Sequence, residues 1–193
     1  MMENDYLAGK RVKLRPIEEE DLSLLHTWLN HPKIRGTIYI EDYPPFLPLT
    51  PKKIKQVFEE WTNPQKVMDI NHFMVVKHKE DTAIGKVTIY MGWDPYQPGV
   101  EILIEPNHQR QGYGRETLSL VLDYLFNFTL AHNVSFSVVS WNKEAMAFGE
   151  AMVLQLGFQK NGGSRRIGIK DGQWFDEVSY DILKREWLSK KEK

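Results

Sequence analysis

Apolar and polar positions alternate with a period of two along Val100–Glu105: Val100, Ile102 and Ile104 alternate with Glu101, Leu103 and Glu105, which predicts a strand. Pro106 and Asn107 stop it, and after Gln109-x-x-Gly112-x-Gly114 the period changes to that of a helix from about Glu116. Leu118, Leu122, Leu125, Phe126 and Thr129 form one stripe there, and Val121, Tyr124 and Phe128 broaden it, which predicts a helix largely buried against a sheet. Before this centre, Arg11–Pro16 reads as a strand. Four acids, Glu18–Asp21, then open a helix whose apolar face is Leu22, Leu25, Trp28 and Leu29 and which ends at His31-Pro32. Ile54, Val57, Phe58 and Trp61 mark a second helix, and His72–Lys77 and Ile84–Met91 are two further strands. Residues 36–51, rich in aromatics and prolines, show no period. After the long helix, Asn133–Ser140 alternates as a strand, and a helix over Lys143–Gln155 is bracketed by Asn142 as N-cap and Gly157 as C-cap. Two last strands, Phe158–Lys170 and Gln173–Leu183, meet at Asp171-Gly172, a two-residue hairpin signal. The lysine-rich tail Ser189–Lys193 is expected to be solvated or frayed, without order of its own.

Composition narrows the class. A chain of 193 residues with 41% hydrophobic and 26% charged residues is expected to form one domain, 1–193, with a real core. A formal charge of −1 and no basic stripe argue against nucleic acid as a partner. No apolar run approaches the roughly 18 residues of a membrane span. The absence of cysteine removes disulfides and thiolate chemistry, and with the lack of a signal-like start it points to the cytoplasm. The six histidines show neither H-x-H nor H-E-x-x-H spacing, so no metal site is expected.

A strand that turns through glycines into a helix leaves free backbone N–H groups at the positive end of the helix dipole, which is an anion site. Gly112 and Gly114 let a phosphate approach without a Cβ in the way. The third glycine of a dinucleotide fingerprint is replaced by Thr117, and no Gly-Lys-Ser/Thr of a nucleotide P-loop is present. The stretch Gln109-x-x-Gly112-x-Gly114, after a strand with an acidic residue, closely resembles the acyl-CoA loop of the GNAT superfamily of N-acetyltransferases. The order of elements from about Arg11 to Trp187 resembles its ribosomal-protein alanine acetyltransferase branch.

That resemblance implies an α+β fold, with a mixed central sheet of about seven strands flanked by about four helices and two splayed strands holding acyl-CoA. It implies acetyl-CoA as donor and a primary amine, of a protein N-terminus or a small molecule, as acceptor. The phosphates would be anchored by Gln109, Arg110, Gln111, Gly112, Tyr113, Gly114 and Arg115. The backbone of Ile102, Leu103 and Ile104 would pair with the pantetheine amides and polarise the thioester. Asn142 would touch the pantetheine arm, or serve only as a helix cap.

Glu101 occupies the family's acidic strand position and is the candidate base, against the alternatives of a solvated glutamate or a structural ion pair. Glu105 is expected to be a surface residue and His108 an incidental neighbour of the loop. The general acid is where the pattern fails. The tyrosine often found four residues before Gly-Phe is Val153 here, the branch's serine after the asparagine is Ala145, and Asn142 lies 15 residues before Gly157, about one turn more than usual. Ser140, a bound water or solvent remain as proton sources. On the acceptor side the family's acidic residue after the hairpin is Asp176, which could receive the amine or pair with Arg165 or Arg166. The loop over residues 36–51 either helps form the acceptor pocket or packs on its own aromatics. A non-catalytic CoA-sensing module is the rival reading, and a homodimer is left open.

Overall fold

In the computed structural model, the structure describes residues 7–38, 46–63, 65, 70–92 and 94–191. Strand β1 (Val12–Pro16) is followed by a 3-10 turn (Glu19–Asp21) and helix α1 (Leu22–Asn30), and after the irregular segment by α2 (Pro51–Trp61). Strands β2 (Ile70–Lys77), β3 (Ala83–Tyr90) and β4 (Gly99–Ile104) form a meander. A 3-10 turn (Pro106–His108) leads to α3 (Tyr113–Phe128), β5 (Asn133–Val139) and α4 (Lys143–Leu156). The chain closes with β6 (Gln159–Gly162), β7 (Gly168–Lys170), β8 (Gln173–Phe175), β9 (Glu177–Leu183) and α5 (Lys184–Lys191).

The local chemistry explains most boundaries. The Thr50 side chain accepts the Lys53 amide and Pro51 sits at the first helical position, so α2 starts there. His31, held extended before Pro32, ends α1. Gly157, at φ 89°, is the left-handed C-cap of α4.

Seven strands form one mixed sheet in the order β1-β2-β3-β4-β5-β9-β6, and β7-β8 form a separate two-stranded ribbon. All neighbours in the large sheet run antiparallel except β4 and β5, which are parallel and joined by the α3 crossover. Helices α1 and α2 cover one face, where Leu25, Trp28 and Ile54 meet Met74, Val76 and Leu103. Helices α3 and α4 cover the other, where Leu118, Val121, Leu122, Leu125 and Phe126 are fully buried with Val75, Val87 and Val134. Each such side chain contributes on the order of 1.5–3 kcal/mol by leaving water.

Four expectations change. Helix α3 begins at Tyr113 rather than near Glu116, because Gly112 is its N-cap. Phe128, expected to broaden the buried stripe, is 52% exposed at the last turn. The two final strands are four, because the chain bulges between Lys160 and Gly162 and turns at Gly162 and Gly163, both at positive φ. A Cβ at Gly163 would run into the Glu177 carbonyl, so the backbones touch there and the Asp171-Gly172 hairpin leaves the main sheet. A fifth helix occupies the C-terminal end, and the tail is helical to Lys191 because Trp187 is buried and its indole donates to Asp123 at 3.0 Å.

Candidate active site

Strands β4 and β5 share one pairing, Gly99 with Ser135, and then diverge. The gap opens into a cavity of about 1020 Å³ that is lined by residues of β4, β5, α3, α4, the segment after α1 and the end of the hairpin. Its β4 edge is polar by construction. The Glu105 amide donates to the Ile84 carbonyl, and strand alternation turns the amides of Ile102 and Ile104 the other way, toward the gap. Leu103 is buried on the α1–α2 face, and only its backbone belongs to this edge.

The far end of the gap is the start of α3. Arg110 at φ 62° and Gly112 at φ 84° turn the chain into the helix. No side chain caps this end, and among the described residues the N–H groups of 111–115 have no acceptor. Such a row of free donors at a helix N-terminus fits a diphosphate. Gln109 fastens the turn by donating its side-chain amide to the Ile104 carbonyl at 2.8 Å. Arg110 stands exposed at the rim, and Arg115 donates to Gln155 of α4 at 3.2 Å. Gln111 and Tyr113 lie outside the cavity wall: the Gln111 carbonyl accepts from Arg11, and the Arg11 guanidinium lies 4.9 Å from the Tyr113 ring centre. Arg11 also ties β1 to α3 through Glu116, at 2.7 Å. Burial works to raise the Glu116 carboxyl, but hydrogen bonds from Arg11 and Val12 hold it below the usual carboxylate range.

Glu101 lines the cavity and projects to the α1–α2 face, where the Lys86 ammonium stands 3.6 Å away. Glu101 is thus ion-paired and at the same time borders the cavity. Glu105 is not a plain surface residue. Its carboxylate accepts from the Asn107 amide and contacts His108 Nδ1 at 2.7 Å, building the turn that leads to the glycines.

Asn142 lines the cavity and caps α4 by accepting the Ala145 amide at 3.1 Å. Ser140 lies outside the wall. Its hydroxyl accepts the Asp176 amide at 3.0 Å and stitches β5 to the hairpin. Asp176 is exposed, outside the wall, and accepts the Arg166 backbone amide at 2.8 Å rather than a guanidinium. The described α4 residues that line the cavity, from Asn142 through Phe148 to Gln155, include no hydroxyl.

Residues the sequence pattern did not single out complete the cavity wall. Lys33, Arg35 and Thr37 enter the wall from the segment after α1, and Glu144 and Glu177 from α4 and β9. Phe46 packs on Trp141 at 5.8 Å, and Trp141 on Phe175 at 6.3 Å, which joins the irregular segment to the hairpin. Phe46 lines the cavity and its ring also lies against Gly36 of its own segment; Tyr39 and Tyr43 lie outside the described residues. No group of three or more metal-ligating side chains occurs among the described residues, and no described helix is long and apolar enough to cross a membrane.

The cavity, its free amides and the glycine turn fit the phosphates and arm of CoA, and comparisons agree. A spermidine N-acetyltransferase from Vibrio cholerae, solved with CoA and spermine, superposes with a TM-score of 0.75 at 22% identity, covering 93% of this chain and 99% of that one. Among curated proteins, an uncharacterised N-acetyltransferase of Bacillus subtilis is 22% identical over 94% of this chain and 99% of its own length. A spermidine N(1)-acetyltransferase of Vibrio cholerae is 25% identical over 95% of this chain and 99% of its own length. The resemblance drawn from the loop thus holds for the superfamily, while these relatives with a stated acceptor act on spermidine rather than on a ribosomal protein. Residues 11–155 match the acetyltransferase (GNAT) domain, so the chain belongs to that family and is an N-acetyltransferase that draws its acetyl group from acetyl-CoA.

Proposed function

We propose that the acceptor is a small-molecule primary amine of the polyamine class, acetylated by direct attack in a ternary complex. The observation that carries the reading is one cavity in which Gly112, Gly114 and Arg115 of the uncapped α3 start stand at one end and the Glu101 carboxylate borders the other wall. The curated spermidine acetyltransferases support the acceptor class, as do three carboxylates on the wall, Glu101, Glu144 and Glu177.

Acetyl-CoA supplies an activated carbonyl and a sulfur leaving group. The free amides at the start of α3 would hold the diphosphate, and the Ile102 and Ile104 amides face the gap where the arm would lie and could donate to its carbonyls. Asn142, Phe148 and Ala151 form the α4 side of that slot. An alkylammonium must lose a proton before its nitrogen can attack, and Glu101 takes that proton directly or through one water. The new bond joins the amine nitrogen to the carbonyl carbon as the carbon–sulfur bond breaks. Thiols ionise near pH 8.5, so the departing sulfur can leave as a thiolate and take its proton from water. This accommodates Val153 and Ala145, and it leaves Ser140 and Asp176 as ties between β5 and the hairpin.

Thiol release from acetyl-CoA tests this with spermidine, spermine, an aminoglycoside and an alanyl-terminated peptide. Turnover is expected with the polyamines and not with the peptide. Tight CoA binding with no thiol release from any amine would establish the sensing module instead, the reading favoured by an α4 wall without a hydroxyl.

A further inference from the structure

Lys86 stands in the middle of β3, in the run Ile84-Gly85-Lys86-Val87-Thr88-Ile89, and is only 2% exposed. A lysine in this place is costly, because an ammonium leaves water for a sheet interior where an apolar side chain of similar length would fit. Three groups receive it. The Thr88 hydroxyl accepts from its Nζ, the Trp61 ring lies with its centre 4.4 Å away, and Glu101 Oε1 stands at 3.6 Å across the strand pair. Behind these, the His72 ring stacks on Trp61 at 4.7 Å and its Nδ1 meets the Thr88 hydroxyl at 3.2 Å. Among the described residues, His72 from β2 and Glu101 from β4 are the titratable groups facing the ammonium; α2 presents Trp61. Burial first, and the neighbouring Lys86 charge second, push the His72 imidazole down to about 3, so it stays neutral and adds no competing cation.

We propose that Lys86 is a positioning residue, whose seated ammonium keeps the Glu101 carboxylate charged and aimed along the cavity wall in readiness for the acceptor's proton. Thr88 and Trp61, neither of which lines the cavity, hold the cation, so the contact it offers to Glu101 is fixed as well. Lys86 does not line the cavity and touches neither donor nor acceptor; it acts through Glu101. A fixed positive neighbour favours the ionised carboxylate, so it extends activity to lower pH. The inference rests on Glu101 being the proton acceptor.

The test is the pH profile of kcat at saturating acetyl-CoA and acceptor, for Lys86→Met, Lys86→Gln and Glu101→Gln. Lys86→Met removes the charge, and the acid limb is expected to move up by about one pH unit. CoA affinity by calorimetry is expected to stay within about twofold, since the phosphate loop is untouched. Lys86→Gln keeps a polar partner for Thr88 and Glu101 and loses only the charge, so the same shift is expected even if the Met variant does not fold. An unmoved acid limb in a folded, CoA-binding Lys86 variant would overturn the proposal and leave Lys86 a structural cation. A Glu101→Gln enzyme with full kcat across pH would instead remove the base itself, and with it the reason for placing Lys86.

Discussion

The side-chain amide of Gln109 donates to the Ile104 carbonyl at 2.8 Å, and this bond ties the glycine turn to the edge of the strand beside the gap. The same residue that opens the loop motif therefore sets the distance between the diphosphate amides and the β4 amides. Gln109→Leu leaves that carbonyl without its partner and frees the turn, a loss of about 1–3 kcal/mol. CoA dissociation constants measured by calorimetry are expected to rise roughly tenfold or more, with the melting midpoint lowered by a few degrees. An unchanged dissociation constant would mean the turn holds its shape without the tie.

Gly112 is at φ 84°, where an L side chain is strained by about 1–2 kcal/mol. A Cβ there would also lie 3.1 Å from the Arg11 guanidinium and beside the free amides. Gly112→Val is expected to weaken CoA at least tenfold. Gly172, at φ 77° in the exposed hairpin turn with nothing within 4 Å of an added Cβ, carries the same strain far from the cavity. Gly172→Val is expected to cost stability and spare CoA. Equal losses of affinity in the two variants would show that backbone strain, and not access to the amides, was being measured.

Both of these positions could be read from the sequence because their signal is local: a strand, a stop, and glycines at fixed spacing before a helix. The apolar faces of α1, α2 and α3 were legible for the same reason, since 3.6-residue periodicity survives without knowledge of partners. Lys86 was not. A lysine in a strand reads as solvent-facing, and its burial follows from α2 laying Trp61 over that face, a contact between residues far apart in the chain. The breakup of the last two strands was hidden too, because Gly162-Gly163 can stand in a strand or a turn and only the touching Glu177 backbone decides. Ser140 reads as a proton source and Asp176 as a seat for an amine, and neither reading shows the bond between them, in which the Ser140 hydroxyl accepts the Asp176 amide and fastens β5 to the hairpin.

Burial of His72 makes stability depend on acid. Its imidazole, ordinarily near 6.5, is pushed down to about 3 by burial and by Lys86. Above 6.5 both folded and unfolded chains hold it neutral, and there is no effect. As pH falls from 6.5 toward 3 the unfolded chain binds a proton that the folded one refuses, so stability declines through that window. The slope is about 1.4 kcal/mol per pH unit. In His72→Phe the loss of unfolding free energy between pH 6.5 and pH 5, measured in urea, should shrink by about 2 kcal/mol relative to the parent. Parallel pH dependences in parent and variant would place the acid-sensitive group elsewhere.

Gly149 sits inside α4, where alanine would ordinarily stabilise a helix by about 1 kcal/mol. Here a Cβ would lie 2.5 Å from Cε2 and 2.6 Å from Cζ of Tyr180. That ring cannot retreat. It is fully buried, stacked on Phe136 at 5.1 Å, and its hydroxyl donates to Glu150 at 3.0 Å. Burial first and then Glu150 raise the phenol to about 12, so it stays a donor at any working pH. Overpacking of about 1–3 kcal/mol should exceed the helical gain, and Gly149→Ala is expected to lower the urea midpoint. Because Phe148 on the same turn packs against Gly114 and lines the cavity, the displaced helix should also weaken CoA binding. A higher midpoint with intact CoA affinity would mean that α4 can slide over Tyr180, and that the glycine is there for no packing reason.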